Sequence, residues 1–365
     1  MQRTELAFTM DTLEEKQSPE QGHGPVFVVG MWRSGTSLFY ALLNQHPQVK
    51  LMYEDELPLL WPLFLGGRAK RDWAERWEFW NQGPSRHKLN VQDLPQDVSS
   101  LRQACEAAWA LYAPGMEIRG GKSPSYFDCL PRIADEFPNA KFLVLWRDPA
   151  DVCRSVVRAK NDSFFAKRGM VLRALLGCRD LKAGYDNLVE RGAQVYPVQY
   201  EDLVENPAAV MQGVCSFLEI KFHPRMASLR GADRSAIYAG EHHERVNSEK
   251  IATSKNKPEV LSEDIRHKVA YYIAHWKRES NGAWPRYPES VGPLRHRKTF
   301  FFERVVDRIL YRSLRAFDGT VAMIYSYFPV SILQKYRASK SLSVPAMPPL
   351  KRVEGNELVG AAQKQ

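Results

Sequence analysis

The sequence predicts an α/β fold: a P-loop-like parallel β-sheet flanked by helices, with a helical extension on its C-terminal side. Three observations predict it. Two short apolar runs, VFVVG at 26–30 and KFLVLW at 141–146, each lead into a stretch with helical periodicity. A third run, VYPVQY at 195–200, follows a long helical pattern at 171–191. Strands separated by helices pair in parallel and are covered on both faces.

Taken in order, residues 1–24 are polar, with no apolar leader-like stretch, and are expected to be flexible. The main domain is expected over 25–293. Its first strand, 26–30, passes through a glycine turn into a helix at 36–45. Residues 55–82 are rich in Leu, Pro and Trp, and suit a lid or substrate wall better than a regular core helix. The wider stretch 55–113 holds Trp61, Trp73, Trp77, Trp80 and Trp109, whose faces suit a sugar, an aryl ring, a lipid chain or each other. Helical patterns follow at 98–113, 149–160, 207–219 and 261–280, with a polar loop expected over 233–257.

The extension, 294–337, opens with RHRKTFFFERVVDRILYRSLR, which is basic and amphipathic. It fits a helix laid on an anionic membrane surface, or one packed on the main domain or on a second copy in a homo-oligomer. The uncharged run 319–334 contains Pro329 and is shorter than the roughly 20 residues that a spanning helix needs. Residues 338–365 are expected to be a flexible tail.

The chain carries a formal charge of +9 over 365 residues, which favours anionic partners. No basic–aromatic motif points to nucleic acid. The five cysteines are scattered without a CxxC pair and read as reduced packing thiols. With no export signal recognised, the expected location is the cytoplasm, in solution or peripherally on a membrane.

Gly30 and Gly35 have the spacing of a GxxxxGK[ST] loop, in which glycines let the backbone approach an anion at a helix start. Thr36 stands where an ATPase lysine belongs, and the cation within the loop is Arg33. A guanidinium can grip two anionic oxygens at once. A second turn, WRDPADVCRS, places Arg147 directly after a strand and Ser155 eight residues on, in the following helix. Ligands of parallel α/β folds lie outside the carboxyl ends of the strands, so both turns should open at one sheet edge. Together they suit a nucleotide bearing two separated phosphates.

The stretch GMWRSGTSLFYALLNQHPQV resembles the donor-binding signature of the PAPS-dependent sulfotransferases, especially their protein-tyrosine and bacterial branches. These enzymes move a sulfuryl group from 3'-phosphoadenosine 5'-phosphosulfate (PAPS) and release adenosine 3',5'-bisphosphate (PAP). The resemblance makes 25–293 a sulfotransferase-like catalytic domain. It implies that Arg33, Ser34, Gly35, Thr36 and Ser37 hold the 5'-phosphosulfate, and that Arg147 and Ser155 hold the 3'-phosphate. IRGGKSPSYF resembles the family's KTP or KSP element, which gives Lys122 the transferring sulfonate. Glu54, in YEDE and 21 residues after Arg33, matches the family's proposed general base, with Asp55 and Glu56 as substitutes. Arg33 would also meet the charge that grows on the leaving phosphate. The acceptor implied is a hydroxyl, or else an amine, on a small molecule, glycan, lipid or peptide.

No metal is expected. HHE at 242–244 lacks a convincing third ligand in its loop, and Ser254 with Lys255 would at most help cover donor or acceptor, as late loops do in the family it resembles. The missing lysine weighs against the competing reading, a P-loop nucleotide kinase or NTPase. A basic anion-binding protein without group transfer remains the non-enzymatic alternative.

Overall fold

Val26–Gly30 (β1) is buried at every position. Phe27 and Val29 join the core on one face of the sheet, and Val26 and Val28 join the core on the other. This period of two, apolar on both sides, is what a central strand covered by helices requires. The structure is a computed structural model. It describes residues 23–64, 72–159, 161, 164–167, 169–237, 244–247, 249, 251, 260–279 and 299–341. Residues 1–22 of the expected N-terminal segment, the expected tail beyond 341, and His242, His243, Ser254 and Lys255 lie outside the described residues, while 338–341, expected in the tail, continue a helix.

Thr36–Leu43 (α1) follows β1, and Val49–Tyr53 (β2) follows α1. A 3-10 segment at Leu57–Phe64 leads to Trp73–Asn81 (α2), Gly83–Arg86 (α3) and Leu101–Tyr112 (α4). Ile118–Lys122 (β3), Leu130–Glu136 (α5), Lys141–Trp146 (β4) and Pro149–Arg158 (α6) come next. Met170–Glu190 (α7), Gln194–Gln199 (β5), Tyr200–Glu205 (α8), Pro207–Leu218 (α9) and Glu244–Asn247 (α10) complete the sheet region. Glu263–Glu279 (α11), Thr299–Tyr327 (α12) and Val330–Ser341 (α13) form the C-terminal part.

The five strands pair in parallel in the order β2-β3-β1-β4-β5. Their carboxyl ends therefore share one edge, where Gly30, Tyr53, Lys122, Trp146 and Gln199 are the last strand residues. Local sequence explains why chain and helices turn there. Asp148 caps α6 by accepting from the Ala150 N–H at 2.8 Å, and Pro149 takes the first-turn position where its missing N–H costs nothing.

The sheet has two strands more than the apolar runs predicted. In β3, IRGGK, glycine and charge break the pattern that marks a strand. Gly121 is there for space: a Cβ would come 2.5 Å from Asp55 Oδ2 and 2.8 Å from the Tyr126 hydroxyl. The Trp-rich stretch also departs from its expected place. Trp73, Trp77 and Trp109 lie in the core, Trp109 against Phe27 and Phe137 and Trp73 stacked on Trp77, so packing accounts for these three. Their indole N–H groups are all satisfied, Trp73 by the Pro95 carbonyl and the other two by Asp55. Trp61 and Trp80 are partly buried at the margin of that core, and the Arg132 guanidinium lies 3.8 Å from the Trp61 ring.

The C-terminal helices sit on the main domain. Asp307 is buried and takes hydrogen bonds from Lys268 Nζ and the Tyr272 hydroxyl. Tyr311 and Arg315 both reach Asp180, and Arg315 also reaches Asp128. Arg76 donates to the Phe328 carbonyl, which ties α2 to the joint between α12 and α13.

Candidate active site

The first turn folds tightly. Ser34 N–H donates to the Met31 carbonyl at 3.0 Å, and Gly35 takes φ +103°. Only glycine fits here: besides the backbone strain, a Cβ would lie 2.4 Å from the Tyr200 ring. α1 then starts with no side-chain cap, so the N–H groups of its first turn remain for an anion. Ser34, Thr36 and Ser37 are buried, and Ser34 Oγ has no hydrogen-bond partner among the described residues. A buried hydroxyl without a partner costs energy, and an anion held in the turn would supply one.

The second turn meets the first. Arg147 Nη1 donates to the Arg33 carbonyl at 2.7 Å, and its guanidinium lies 4.4 Å from the centre of the Tyr200 ring. Arg33 Nε donates to Ser155 Oγ at 3.1 Å. The two arginines thus meet, with Tyr200 packed against both turns. Arg154 pairs instead with Asp151 on the same helix.

On the other side of α1 the path continues without a break. The Ser37 and Tyr53 hydroxyls are 2.8 Å apart. Lys122 Nζ lies 4.1 Å from the centre of the Tyr53 ring and 3.0 Å from Glu54 Oε1. Register places Tyr53 opposite Lys122, so pairing of β2 with β3 sets this contact. Arg86, at the end of α3, reaches the same carboxylate at 3.9 Å and donates to the Glu54 carbonyl at 3.1 Å.

The three acids after β2 differ. Burial pushes the Glu54 carboxyl up, but the charges of Lys122 and Arg86 and hydrogen bonds from Lys122 and Tyr53 outweigh it. Its pKa therefore lies below the ordinary value, and Glu54 is ionised at neutral pH. Burial lowers the Lys122 pKa, while the Glu54 charge opposes that shift. Asp55 is fully buried, accepts from the Tyr126 hydroxyl and Trp109 Nε1, and is raised by burial to about 6. Both its oxygens serve the core, which removes it as a substitute base. Glu56 accepts from Ser125 Oγ at 3.4 Å, and burial, then the Glu54 charge, raises it to about 7.

Arg33, Glu54 and Glu56 all hold positive φ, at 66°, 48° and 49°. For non-glycine residues this costs on the order of 1 kcal/mol each, and such outliers gather where function fixes geometry.

All nine residues singled out in the sequence thus lie along one sheet edge. Tyr53, Arg86 and Tyr200 join them. Tyr53 is set there by strand register. Arg86 carried no local signal. Tyr200 opens α8, where the neighbouring Glu201 accepts from the Asp148 N–H at 3.4 Å. His46 supports the turn after α1, with Nε2 2.8 Å from the Lys221 carbonyl. Among the described residues no group of three potential ligands could hold a metal ion.

The strand ends of the parallel sheet thus gather two arginines, a buried lysine and a carboxylate around a glycine turn. The family model described as the Sulfotransferase family matches residues 25–224, more than half of the chain. The chain belongs to this family, and its class is that of a sulfotransferase enzyme. It is 25% identical over 205 residues to protein-tyrosine sulfotransferase 1 of Danio rerio, covering 54% of each chain. It is 25% identical over 207 residues to protein-tyrosine sulfotransferase A of Caenorhabditis elegans, covering 55% of this chain and 51% of that one. The chain therefore spans about half the length of these relatives. Among solved structures, the sulfotransferase domain from the curacin biosynthetic pathway aligns with a TM-score of 0.48 and 21% identity, over 69% of this chain and 97% of that one.

Proposed function

We propose that the chain transfers a sulfuryl group from PAPS to a hydroxyl, rather than an amine, of its acceptor. The observation that carries this reading is the unbroken path of contacts from Ser155 through Arg33 and the glycine turn to Ser37, Tyr53, Lys122 and Glu54. Such a path has a place for each end of a doubly phosphorylated donor and a carboxylate beside the transfer point. The partnerless Ser34 hydroxyl and the uncapped start of α1 fit the bound anion. Thr36 in place of lysine disfavours the ATPase reading.

In this reading the donor supplies the activated sulfuryl group and a phosphate leaving group. Ser34 to Ser37 and the first-turn N–H groups of α1 grip the 5' end, and Arg147 with Ser155 grips the 3' end. Arg33 sits between them, so its charge can follow the growing negative charge on the leaving oxygen. Lys122 is held at the same edge and directs its ammonium towards the transferring group. Glu54, ionised through Lys122 and Arg86, takes the proton of the attacking hydroxyl. Its depressed pKa makes it a weak base, which suits a proton that leaves late, as the new bond forms. Glu56, near neutrality and beside it, is the substitute.

The test is incubation with isotopically labelled PAPS and pooled acceptors, read by mass spectrometry. Arg33→Ala is expected to impair transfer severely, Arg147→Ala to weaken mainly PAP binding by calorimetry, and Glu54→Ala to depress turnover. Near-normal transfer by all three, or no affinity for PAP, would refute the assignment.

A further inference from the structure

α12 is amphipathic and sits the wrong way round for a helix that belongs only to this domain. Its polar side is the docked side, where Asp307, Tyr311 and Arg315 bind Lys268, Tyr272, Asp180 and Asp128. Its apolar side faces out: Val306 is 60% exposed, Ile309 61% and Phe317 66%, with Val305 and Leu310 also exposed. At about 100° per residue these five fall in one arc, opposite Asp307, Tyr311 and Arg315. A stripe of this kind on a 29-residue helix, about 43 Å long, is larger than scattered surface apolar residues explain.

Charge selects what covers it. Arg312 is exposed at one border of the stripe. Arg295, Arg297 and Lys298 immediately precede the helix in sequence, and α13 carries Lys335, Arg337 and Lys340 after it. Of the acids on α12, Asp307 and Asp318 are paired with Lys268 and Arg173, and Glu303 lies at the far border. Cations thus flank the helix in sequence on both sides. Two copies laid helix to helix would bring cations together whether they ran parallel or antiparallel. An anionic lipid surface attracts both ends at once and takes the apolar arc between them. No described helix is long and apolar enough to cross a membrane, so the helix would lie in the interface.

We propose that α12 is a membrane-docking helix, which places the enzyme on anionic lipid through Val305, Val306, Ile309, Leu310 and Phe317. This docking needs neither donor nor acceptor, so it stands or falls apart from the transfer reaction.

The experiment is flotation of the full chain with vesicles of phosphatidylcholine alone and of phosphatidylcholine with phosphatidylserine, at low and raised salt. Sedimentation velocity without lipid accompanies it. The chain is expected to be monomeric and to float with the anionic vesicles, less so as salt rises. Val306→Asp and Phe317→Asp are each expected to lower vesicle affinity on the order of tenfold. Both positions are exposed, so circular dichroism and PAP affinity should be unchanged. The proposal is overturned by absent flotation, by equal flotation on neutral vesicles, or by flotation that neither substitution weakens. It is equally overturned by a dimer that Val306→Asp dissociates, since a second copy would then own this face.

Discussion

Replacing Lys122 by methionine should reveal how far the site is held together by charge. The side chain is 1% exposed and lies 3.0 Å from Glu54 Oε1, whose own side chain is 17% exposed. At that separation the attraction is about 5 kcal/mol for an effective dielectric near 20, before the cost of burying either ion. Breaking a buried pair from one side costs about 3–5 kcal/mol, because the remaining charge stays buried. Arg86 remains 3.9 Å from the same carboxylate, so the lower end, about 3 kcal/mol, is expected at neutral pH.

The pH dependence separates charge from packing. Glu54 has a folded pKa below its ordinary 4.5, so its stabilising contribution is fully present above 4.5 and is lost as pH falls through the folded value. In Lys122→Met burial faces less opposition, and the carboxyl protonates at higher pH. The deficit relative to the native chain should therefore shrink on acidification. Urea unfolding at neutral pH and at about pH 4 measures it. Adding Glu54→Gln should recover part of the neutral-pH loss, with a coupling of about 2 kcal/mol. An equal deficit at both pH values, with no coupling, would refute the reasoning and make Lys122 a packing residue.

Glu56→Gln keeps the shape of the side chain and removes a buried carboxylate. The folded pKa of Glu56 is raised to about 7, so its contribution is present below 4.5 and lost as pH rises through 7. The variant should match the native chain near pH 4 and exceed it in stability above pH 7, by urea titration. If Glu56 rather than Glu54 takes the acceptor proton, the same variant should abolish turnover while leaving PAP affinity intact. Gly35→Ala should destabilise the fold by about 1–3 kcal/mol, through φ +103° and the Tyr200 ring, and should lower PAP affinity at least tenfold by calorimetry.

Much of the fold could be read before any coordinates. β1 and β4 begin and end where their apolar runs do, because central strands need side chains buried on both faces. β2 alternates Val49, Leu51 and Tyr53 with Lys50 and Met52, and Lys50 broke the run that would have marked it. β3 was hidden for a deeper reason: Gly121 is selected by the space that Asp55 and Tyr126 need, a contact made across the fold. The two turns were legible because glycine spacing and an arginine after a strand are local facts. Tyr53 and Arg86 complete the site by register and by a helix end, and neither can be read from neighbours in sequence. The tryptophans were ambiguous for the opposite reason, since the same side chain serves a core and a binding wall equally well.

Asp55 has one more consequence. Its carboxylate and carbonyl tie together Trp77, Asn81, Trp109 and Tyr126, while the residues immediately before and after it reach Lys122, Arg86 and Ser125. Proposed proton acceptors and keystone thus alternate along three successive positions. Mutation can reshape the walls beyond this rivet without disturbing how Glu54 and Glu56 are presented. A change at the rivet itself would move both at once, so lineages that diverge in what they modify should do so around residue 55 and not at it.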